Sequence, residues 1–399
     1  MNARREFLLR RLPGAMLGAL APAAGAALLV PAGAVAQAAP AGSTGAAEAA
    51  GSTGATGTTR AAASDEVFPR QAWARPQPAP GGAAAAELPA WHAERLRAAD
   101  EAAASLRTDA WLVVHRGRLV HAYGEIALPR NVYSVRKSVL SVLTGIHVDR
   151  GVIDLGQSLA ALGVDDIEGL TAQEKAATWR QLLQSRSGVY HPAAYETREA
   201  KAQRPARGSH APGTFWYYNN WDFNTAGGLF QQRTGKPVFE ALRDDLAGPL
   251  QFEDFDLARD TESVLESSSK YPAYVMKLSA RDLARLGLLM ARGGRWRGRQ
   301  LVSEKWVAES TAPHSNVPGG WQRYASMWWV PRRAWPFWQR AEGDVFFAWG
   351  NGGQFLFVDR GRDLVIVHQV DRPRFFSAHV TPESISGLLQ QVLAAHPSS

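Results

Sequence analysis

Apolar residues recur at helical spacing through residues 131–151, which have the sequence NVYSVRKSVLSVLTGIHVDRG. This spacing predicts a helix with one apolar face packed against a core. Gly151 follows Asp149 and Arg150, which suits a helix C-terminus. We expect the rest of the chain to be organised around this helix. The apolar positions are Val135, Val139, Val142, Leu143 and Ile146.

Other periodic stretches predict both helices and strands. Helical spacing occurs at residues 94–106, 223–230, 238–246, 280–290 and 382–394. Alternating or continuous apolar runs between Gly and Pro predict strands at 110–115, 119–124, 325–331, 345–349, 354–359 and 364–371. Strands at both ends with helices between them predict an α/β (α+β) fold. Its antiparallel sheet is formed by both ends of the domain, with flanking helices and an inserted, mainly helical lobe.

The N-terminal part of the chain lacks this periodicity. Residues 1–38 contain the pair Arg4-Arg5, then an apolar Ala/Leu/Gly-rich stretch ending in Ala-x-Ala sites, which predicts a twin-arginine signal peptide. An uncleaved anchor is the alternative, disfavoured by Pro22 and Pro31. Residues 39–88 are rich in Ala, Gly, Ser, Thr and Pro, which predicts a flexible linker. Residues 89–399 are long enough for one large domain or two closely packed lobes. This part is expected to be periplasmic or secreted, without stable membrane insertion after signal cleavage.

Composition narrows the possible functions. The formal charge of +7 is carried by scattered basic residues, partly in the signal, so nucleic-acid binding is disfavoured. Cysteine is absent, which excludes disulfides and thiolate chemistry. His115 and His121 fall on predicted strand faces without further ligands, so neither a metal site nor a cofactor is expected. The oligomeric state stays open.

Ser134 and Lys137 stand three residues apart near the start of the central helix. At that spacing a hydroxyl and an ammonium lie on one helix face. The positive end of the helix also favours an alkoxide or oxyanion. Ser-x-x-Lys arises often by chance, however, and a second copy from Ser267 to Lys270 lies in a polar run that predicts a surface loop. The motif alone therefore leaves catalysis undecided.

Residues 185–213 form a long Pro/Ala/polar segment, SRSGVYHPAAYETREAKAQRPARGSHAPG. A structureless segment of this length inside a domain predicts a functional loop or lid, with disorder as the alternative. An aromatic and amide cluster, PGTFWYYNNWDFN, overlaps its end at residues 212–224.

Three motifs occur in a fixed order: SVRK at residues 134–137, YNN at 218–220, and GNGGQ at 350–354 ahead of a strand. This set resembles the serine β-lactamase-like hydrolases of the class C and penicillin-binding-protein group. It is most similar to the branch of 6-aminohexanoate-dimer hydrolase and related esterases. The resemblance covers most of the chain after residue 89 and implies a β-lactamase/transpeptidase-like fold.

The resemblance implies a role for each motif. Ser134 would form an acyl-enzyme, with Lys137 and Tyr218 as a coupled proton-transfer unit in which the lysine cation lowers the tyrosine pKa. Tyr217 also fits the second motif, but spacing from the preceding Pro-Gly favours Tyr218. The backbone N–H groups of Ser134 and Gly353 would bind the oxyanion. The implied substrate-binding residues are Asn220, Gly350, Asn351 and Gly352.

The third motif departs from penicillin-directed relatives, which carry Lys or His where this chain has Gly350. Loss of that cation favours short carboxylic esters or small amides over anionic substrates. The alternative is a β-lactamase, D-alanyl-D-alanine carboxypeptidase or D-aminopeptidase, with Arg198 or Arg204 of the long loop holding the carboxylate. More remote alternatives are a non-catalytic peptidoglycan-binding module and a structural surface protein.

Overall fold

The structure is a computed structural model that describes residues 66–75, 90–318, 320, 322–332, 338, 343–371 and 380–397. The predicted signal peptide at residues 1–38 and most of the predicted linker at 39–88 lie outside the described residues. The described part of the chain contains no helix that combines the length and apolar character needed to cross a membrane.

An eight-stranded antiparallel sheet forms the centre of the fold. It combines the N-terminal hairpin with strands from the last third of the chain, in the order β2-β1-β13-β12-β11-β10-β9-β8. Its strands are β1 (Ala110–His115), β2 (Arg118–Gly124), β8 (Ser315–Asn316), β9 (Gln322–Tyr324), β10 (Trp329–Pro331), β11 (Val345–Gly350), β12 (Gln354–Asp359) and β13 (Leu364–Gln369). The predicted sheet completed by both ends of the domain is therefore confirmed.

Five short strands lie outside this sheet. They are β3 (Arg130–Asn131), β4 (Thr261–Val264) and β5 (Ala273–Leu278) in one small sheet, and β6 (Arg295–Trp296) and β7 (Arg299–Gln300) in another. β3 ends just before the central helix and pairs with β5 through Arg130↔Leu278. This pairing fixes the backbone that leads into Ser134.

Helices cover both faces of the main sheet and build the inserted lobe. They are α1 (Ala93–Ser105), α2 (Val135–Asp149), α3 (Ala172–Lys175), α4 (Trp179–Leu183), α5 (Arg198–Gln203), α6 (Asn220–Thr234), α7 (Val238–Ala241), α8 (Gly248–Leu250), α9 (Leu257–Asp260), α10 (Ala280–Ala291), α11 (Glu304–Thr311) and α12 (Ser386–Ala394). A π-helical segment, Leu242–Ala247, joins α7 to α8, where the sequence predicts one continuous helix.

The helix caps and strand breaks follow local chemistry. Ser279 caps α10 as predicted, since its side chain accepts a hydrogen bond from the Asp282 N–H. Of the predicted strand at 325–331, only Trp329–Pro331 is a strand (β10), and residues 325–328 form the turn that joins it to β9. Met327 lies between them with φ +64°, a left-handed conformation that a strand does not contain.

Residues 66–75 pack against the domain, although the sequence predicts a linker without a core there. The Ala74 carbonyl accepts a hydrogen bond of 2.9 Å from the N–H of Leu119, on the edge strand β2. Trp73 is buried, and its Nε1 donates to the Arg281 carbonyl at 3.2 Å. A Cβ on Gly117 would lie 1.7 Å from the Val67 carbonyl oxygen, so only glycine fits under this segment. We call residues 66–75 the strap.

Candidate active site

Ser134 is the N-cap residue of α2, but its side chain makes no capping hydrogen bond. Its Oγ is therefore available for chemistry at the positive end of the helix. The preceding residue, Tyr133, has φ +45°, which is uncommon for a residue with a side chain. The Asn131 side chain stabilises this turn by accepting a hydrogen bond of 2.8 Å from the Tyr133 N–H.

Lys137 joins Ser134 to Tyr218. Its Nζ lies 2.8 Å from the Ser134 Oγ and 3.0 Å from the Tyr218 hydroxyl oxygen. It also lies over the faces of the Tyr218 and Phe223 rings, 4.6 and 4.8 Å from their centroids. The three predicted side chains are thus brought within hydrogen-bond reach of one another. Tyr217 points elsewhere, because its hydroxyl donates to the Ala200 carbonyl at 2.7 Å.

Burial sets the charge states of this group. It lowers the pKa of Lys137 well below its usual range, and the nearby Arg136 cation lowers that pKa further. Burial also raises the pKa of Tyr218 to about 12, against the opposing effects of a hydrogen bond with Ser134 and of Arg136. The expectation that a Lys137 cation lowers the tyrosine pKa was therefore wrong. Desolvation thus disfavours the charged form of both groups, the Lys137 ammonium and the Tyr218 phenolate.

The other face of α2 holds the helix in place through small residues. Ser138 Oγ donates to the Met327 carbonyl at 2.6 Å, and Ser141 Oγ donates to the Ser326 carbonyl at 2.8 Å. A Cβ on Gly145 would lie 2.1 Å from the Trp306 ring, so this glycine lets α11 approach closely. The β9–β10 turn and α11 therefore fix the position of α2.

Gly350 contacts the backbone around Ser134. A Cβ at this position would lie 2.3 Å from the Val132 carbonyl oxygen and 3.1 Å from the Ser134 N atom. No side chain fits there, and a lysine is excluded. The absence of a cation at Gly350 is therefore a packing requirement, and it gives no information about the charge of the substrate.

Gly353 lies on the far side of the same turn. Its N–H donates to the Gly350 carbonyl at 3.3 Å, and its carbonyl accepts a hydrogen bond of 2.7 Å from His368 Nδ1. Between the two glycines, Asn351 accepts a hydrogen bond of 3.0 Å from the Gly352 N–H through its side chain. Among the described residues, no acceptor is found for the backbone N–H of Ser134 or of Asn351.

The two asparagines after Tyr218 have different partners. Asn219 caps α6, and its amide donates to the Val189 carbonyl at 2.6 Å and to Asp222 at 2.9 Å. Asn220 donates to the Tyr195 carbonyl at 2.8 Å. No hydrogen bond joins Asn220 to Lys137 in the described structure, so its placement supports a role in holding the Tyr195 backbone.

The predicted lid at residues 185–213 has regular structure and firm anchors. It contains α5, and Ser187 donates its hydroxyl to Asp222 at 2.5 Å. Arg204 pairs at 2.5 Å with the buried carboxylate of Glu196. Arg204 is therefore already engaged by a carboxylate within the loop.

A cavity of about 530 Å³ opens beside Tyr218. Its walls are mainly aromatic and aliphatic, and its only charged residue among the described lining is Glu199. Tyr218 is stacked on Trp329 with ring centroids 5.5 Å apart, and Trp349 lies 5.4 Å beyond it. The lining residues are Thr197, Glu199, Ala200, Gln203, Pro205, Phe215, Trp216, Tyr217, Tyr218, Val317, Pro318 and Trp349.

Several side chains next to the site have no sequence signal that links them to it. Arg136 shares the Ser-x-x-Lys motif but carries no role in the resemblance, and the strained Tyr133 has no sequence signal. Tyr324 and Trp329 could not be linked to Tyr218 from spacing, because they come from β9 and β10 more than a hundred residues later. In the part of the chain that the structure describes, no group of three or more His, Asp or Glu side chains could hold a metal ion.

Comparisons with known proteins identify the family and the fold. Residues 93–381 match the family model for beta-lactamase. A protein from Bacillus anthracis assigned as a 6-aminohexanoate-dimer hydrolase is 22% identical, with a TM-score of 0.55 over 74% of this chain and 81% of its own. A family VIII carboxylesterase is 18% identical, with a TM-score of 0.57 over 77% of this chain and 98% of its own.

A penicillin-binding-protein homologue from Caulobacter crescentus is 18% identical, with a TM-score of 0.56 over 76% of this chain and 98% of its own. No curated protein matches the sequence. At these identities the solved structures establish the fold, whereas the family model spans most of the domain. The chain belongs to the beta-lactamase family and has its β-lactamase/transpeptidase-like fold.

Proposed function

We propose that this protein is a serine hydrolase that cleaves short carboxylic esters or small amides through an acyl-enzyme at Ser134. The observation that carries the proposal is the contact of Lys137 Nζ with both the Ser134 Oγ and the Tyr218 hydroxyl. A neutral amine can accept the serine proton, and this removes the main barrier to attack by a hydroxyl. The fold belongs to a family of hydrolases, which supports the same chemistry.

The charge states suggest a sequence of proton transfers. Lys137 accepts the Ser134 proton as Oγ bonds to the substrate carbonyl carbon. Tyr218, neutral because its pKa is raised to about 12, donates its proton to the leaving group. The Lys137 ammonium then returns a proton to Tyr218, which restores the neutral pair. During deacylation the transfers run in reverse. Tyr218 passes its proton to Lys137 and takes one from the attacking water, and Lys137 then returns a proton to the Ser134 Oγ.

The oxyanion would be bound by backbone N–H groups. Ser134 supplies one, and we propose Asn351 in place of Gly353 for the second. Gly350 lies against the Ser134 N atom, and Asn351 is the next residue in the turn. The Gly353 N–H already donates to the Gly350 carbonyl.

The cavity supports an uncharged, apolar substrate. Its walls are largely Phe, Trp, Val and Pro, and Glu199 is the only charged residue of its described lining. A carboxylate-bearing substrate such as a penicillin would meet no cation among the described lining residues. The cavity lining, and not Gly350, favours the esterase branch over the β-lactamase and carboxypeptidase alternatives.

We further propose export by a twin-arginine signal, with a periplasmic or secreted location.

Labelling with a fluorophosphonate, followed by mass-spectrometric mapping, tests the nucleophile. We expect the label on Ser134, and loss of p-nitrophenyl butyrate hydrolysis in Ser134→Ala. Ser267→Ala is the matched control, because Ser267 begins the second Ser-x-x-Lys sequence and is exposed. A label on Ser267, or full activity in Ser134→Ala, would show that the site is misassigned. Faster turnover of a chromogenic cephalosporin than of the ester would reject the esterase preference.

A further inference from the structure

Arg136 is a buried cation for which the described residues supply no counter-ion. Its side chain is only 1% exposed, and no carboxylate of the described residues lies within 4 Å of its guanidinium. One nitrogen donates to the Tyr133 carbonyl at 3.3 Å, while Nε and Nη2 have no hydrogen-bond partner. An arginine is almost never fully buried unless it is paired, so stability alone does not explain this residue.

The guanidinium lies between two aromatic faces. Its Cζ is 5.3 Å from the Tyr195 ring centroid and 5.2 Å from that of Tyr274. These cation–π contacts hold the charge without neutralising it. Arg136 also lies in the first turn of α2, where the helix dipole already disfavours a cation.

Lys137 lies against the aromatic rings next to those that Arg136 contacts. Its Nζ lies over the faces of Tyr218 and Phe223, and the Tyr274 hydroxyl donates to the Phe223 carbonyl at 3.3 Å. The two basic side chains, Arg136 and Lys137, are therefore neighbours in sequence and contact neighbouring aromatic rings. The titratable groups on the elements around Lys137 are Arg136 on α2, Tyr218 before α6, Asp222 on α6, Tyr274 on β5 and Tyr324 on β9.

Burial disfavours the negatively charged form of each acidic group among them. Asp222 is the carboxyl among them, and burial raises its pKa well above the usual range. Burial also raises the pKa of Tyr274 and of Tyr324 above that of an ordinary tyrosine. After burial, the charge of Arg136 is the further cause that lowers the pKa of Lys137. An arginine cannot lose its proton to relieve this repulsion.

We propose that Arg136 is a positioning residue that keeps the Lys137 amine unprotonated and ready to accept the Ser134 proton. This inference rests on the proposed serine hydrolase function and assigns the third residue of the Ser-x-x-Lys sequence an electrostatic role. A neutral residue at 136 would let Lys137 hold a proton to higher pH. At neutral pH Lys137 would then be correctly placed but protonated, and it could not accept the Ser134 proton.

The test is the pH dependence of Ser134 labelling by a fluorophosphonate, followed by mass spectrometry in wild type, Arg136→Met and Arg136→Lys. Labelling requires no turnover and reports the nucleophile directly. We expect the acid limb of the rate profile to move up by about one pH unit in Arg136→Met. Below that limb the variant should label about tenfold more slowly, and it should recover at high pH. Arg136→Lys, whose new cation can lose its proton, should fall between wild type and Arg136→Met.

Arg130→Met is the matched control. Arg130 is also buried, but it donates to the Glu125 and Leu128 carbonyls of its own turn. Its loss should lower stability and leave the acid limb in place. If Arg136→Met does not fold, the neutral and polar variant Arg136→Gln replaces it, and an acid limb identical to that of wild type in a folded neutral variant overturns the proposal. If wild type is not labelled at Ser134 at all, the proposed function fails instead, so the two failures are distinguishable.

Discussion

The strap should contribute measurably to the stability of the domain, and Trp73→Ala is the perturbation that tests this. Trp73 is 8% exposed, its Nε1 donates to the Arg281 carbonyl, and its ring lies 5.5 Å from the Arg285 guanidinium carbon. Truncation of a buried tryptophan to alanine costs about 3–5 kcal/mol. Because part of the strap can detach while the domain stays folded, this value is an upper limit.

Further contacts would be lost if the whole strap detached. Arg285 and Arg292, both buried, donate to the Arg70 and Val67 carbonyls at 3.1 and 2.8 Å. Each arginine keeps a carboxylate partner, so these losses resemble those of hydrogen bonds to charged groups, about 1.5–3 kcal/mol each. Removal of the strap would also expose the N–H of Leu119 on an edge strand, where other chains can pair.

The assay is thermal and urea unfolding of Trp73→Ala beside Gln71→Ala. Gln71 belongs to the same segment but is exposed, which makes it a matched control. We expect the melting temperature of Trp73→Ala to fall by roughly 5–15 °C, and that of Gln71→Ala to change little. Ester hydrolysis well below the transition should be preserved, because three strands separate β2 from β11.

Equal melting temperatures for the two variants would refute the docking of the strap. A chain that begins at residue 90 gives a second comparison with one that begins at residue 66. If the shorter chain were as stable as the longer one, the contacts of residues 66–75 would not stabilise the domain. The predicted linker would then extend to residue 88.

Three further predictions concern the site. Tyr218→Phe should lower kcat roughly 100- to 10,000-fold, whereas Tyr217→Phe should keep most activity in the same ester assay; equal losses would reject the choice of tyrosine. Gly350→Ala should reduce kcat/KM about 100-fold, because a Cβ there displaces the Ser134 backbone, while Gly352→Ala, in open space, should cost little beyond backbone strain; similar kinetics in both variants would contradict the contact. Burial lowers the pKa of His368 to about 4, so below about pH 6.5 the unfolded chain binds more protons than the native one. Urea unfolding should show a stability loss of about 2 kcal/mol from pH 7 to pH 5 through this residue, and an equal loss in His368→Gln would argue against it.

Much of the sheet could be predicted because its strands have strong local signals. The hairpin of β1 and β2 and the strands β11, β12 and β13 are apolar runs between Gly or Pro breaks, and the structure confirms them. The predicted strand at 325–331 failed for a local reason. Met327 adopts a left-handed conformation so that its carbonyl and that of Ser326 face α2, and apolar composition does not encode this turn.

The strap illustrates a different limit of sequence analysis. The strap lies within residues 39–88, a stretch rich in Ala, Gly, Ser, Thr and Pro and without periodicity, so no sequence pattern predicts that Trp73 is buried. The information lies in its partners, since Gly117, Arg285 and Arg292 are more than forty residues away in sequence.

The site was predictable as far as ordered motifs allow. Ser134, Lys137 and Tyr218 meet as the resemblance implies. The direction of the Tyr218 pKa shift was not, because it depends on how many buried rings surround the hydroxyl. The role of Gly350 was not predictable either, because the sequence does not show that the Val132 carbonyl fills the place of a side chain.

The buried polar side chains around α2 have a consequence for evolution and engineering of this protein. Arg136 and Lys137 are both desolvated, and neither has an oppositely charged partner among the described residues. Replacement of such groups by apolar residues of similar volume is often neutral or stabilising. Selection for thermal stability alone would therefore favour substitutions in this helix that inactivate the enzyme, so a stability screen should be run with a parallel screen for turnover.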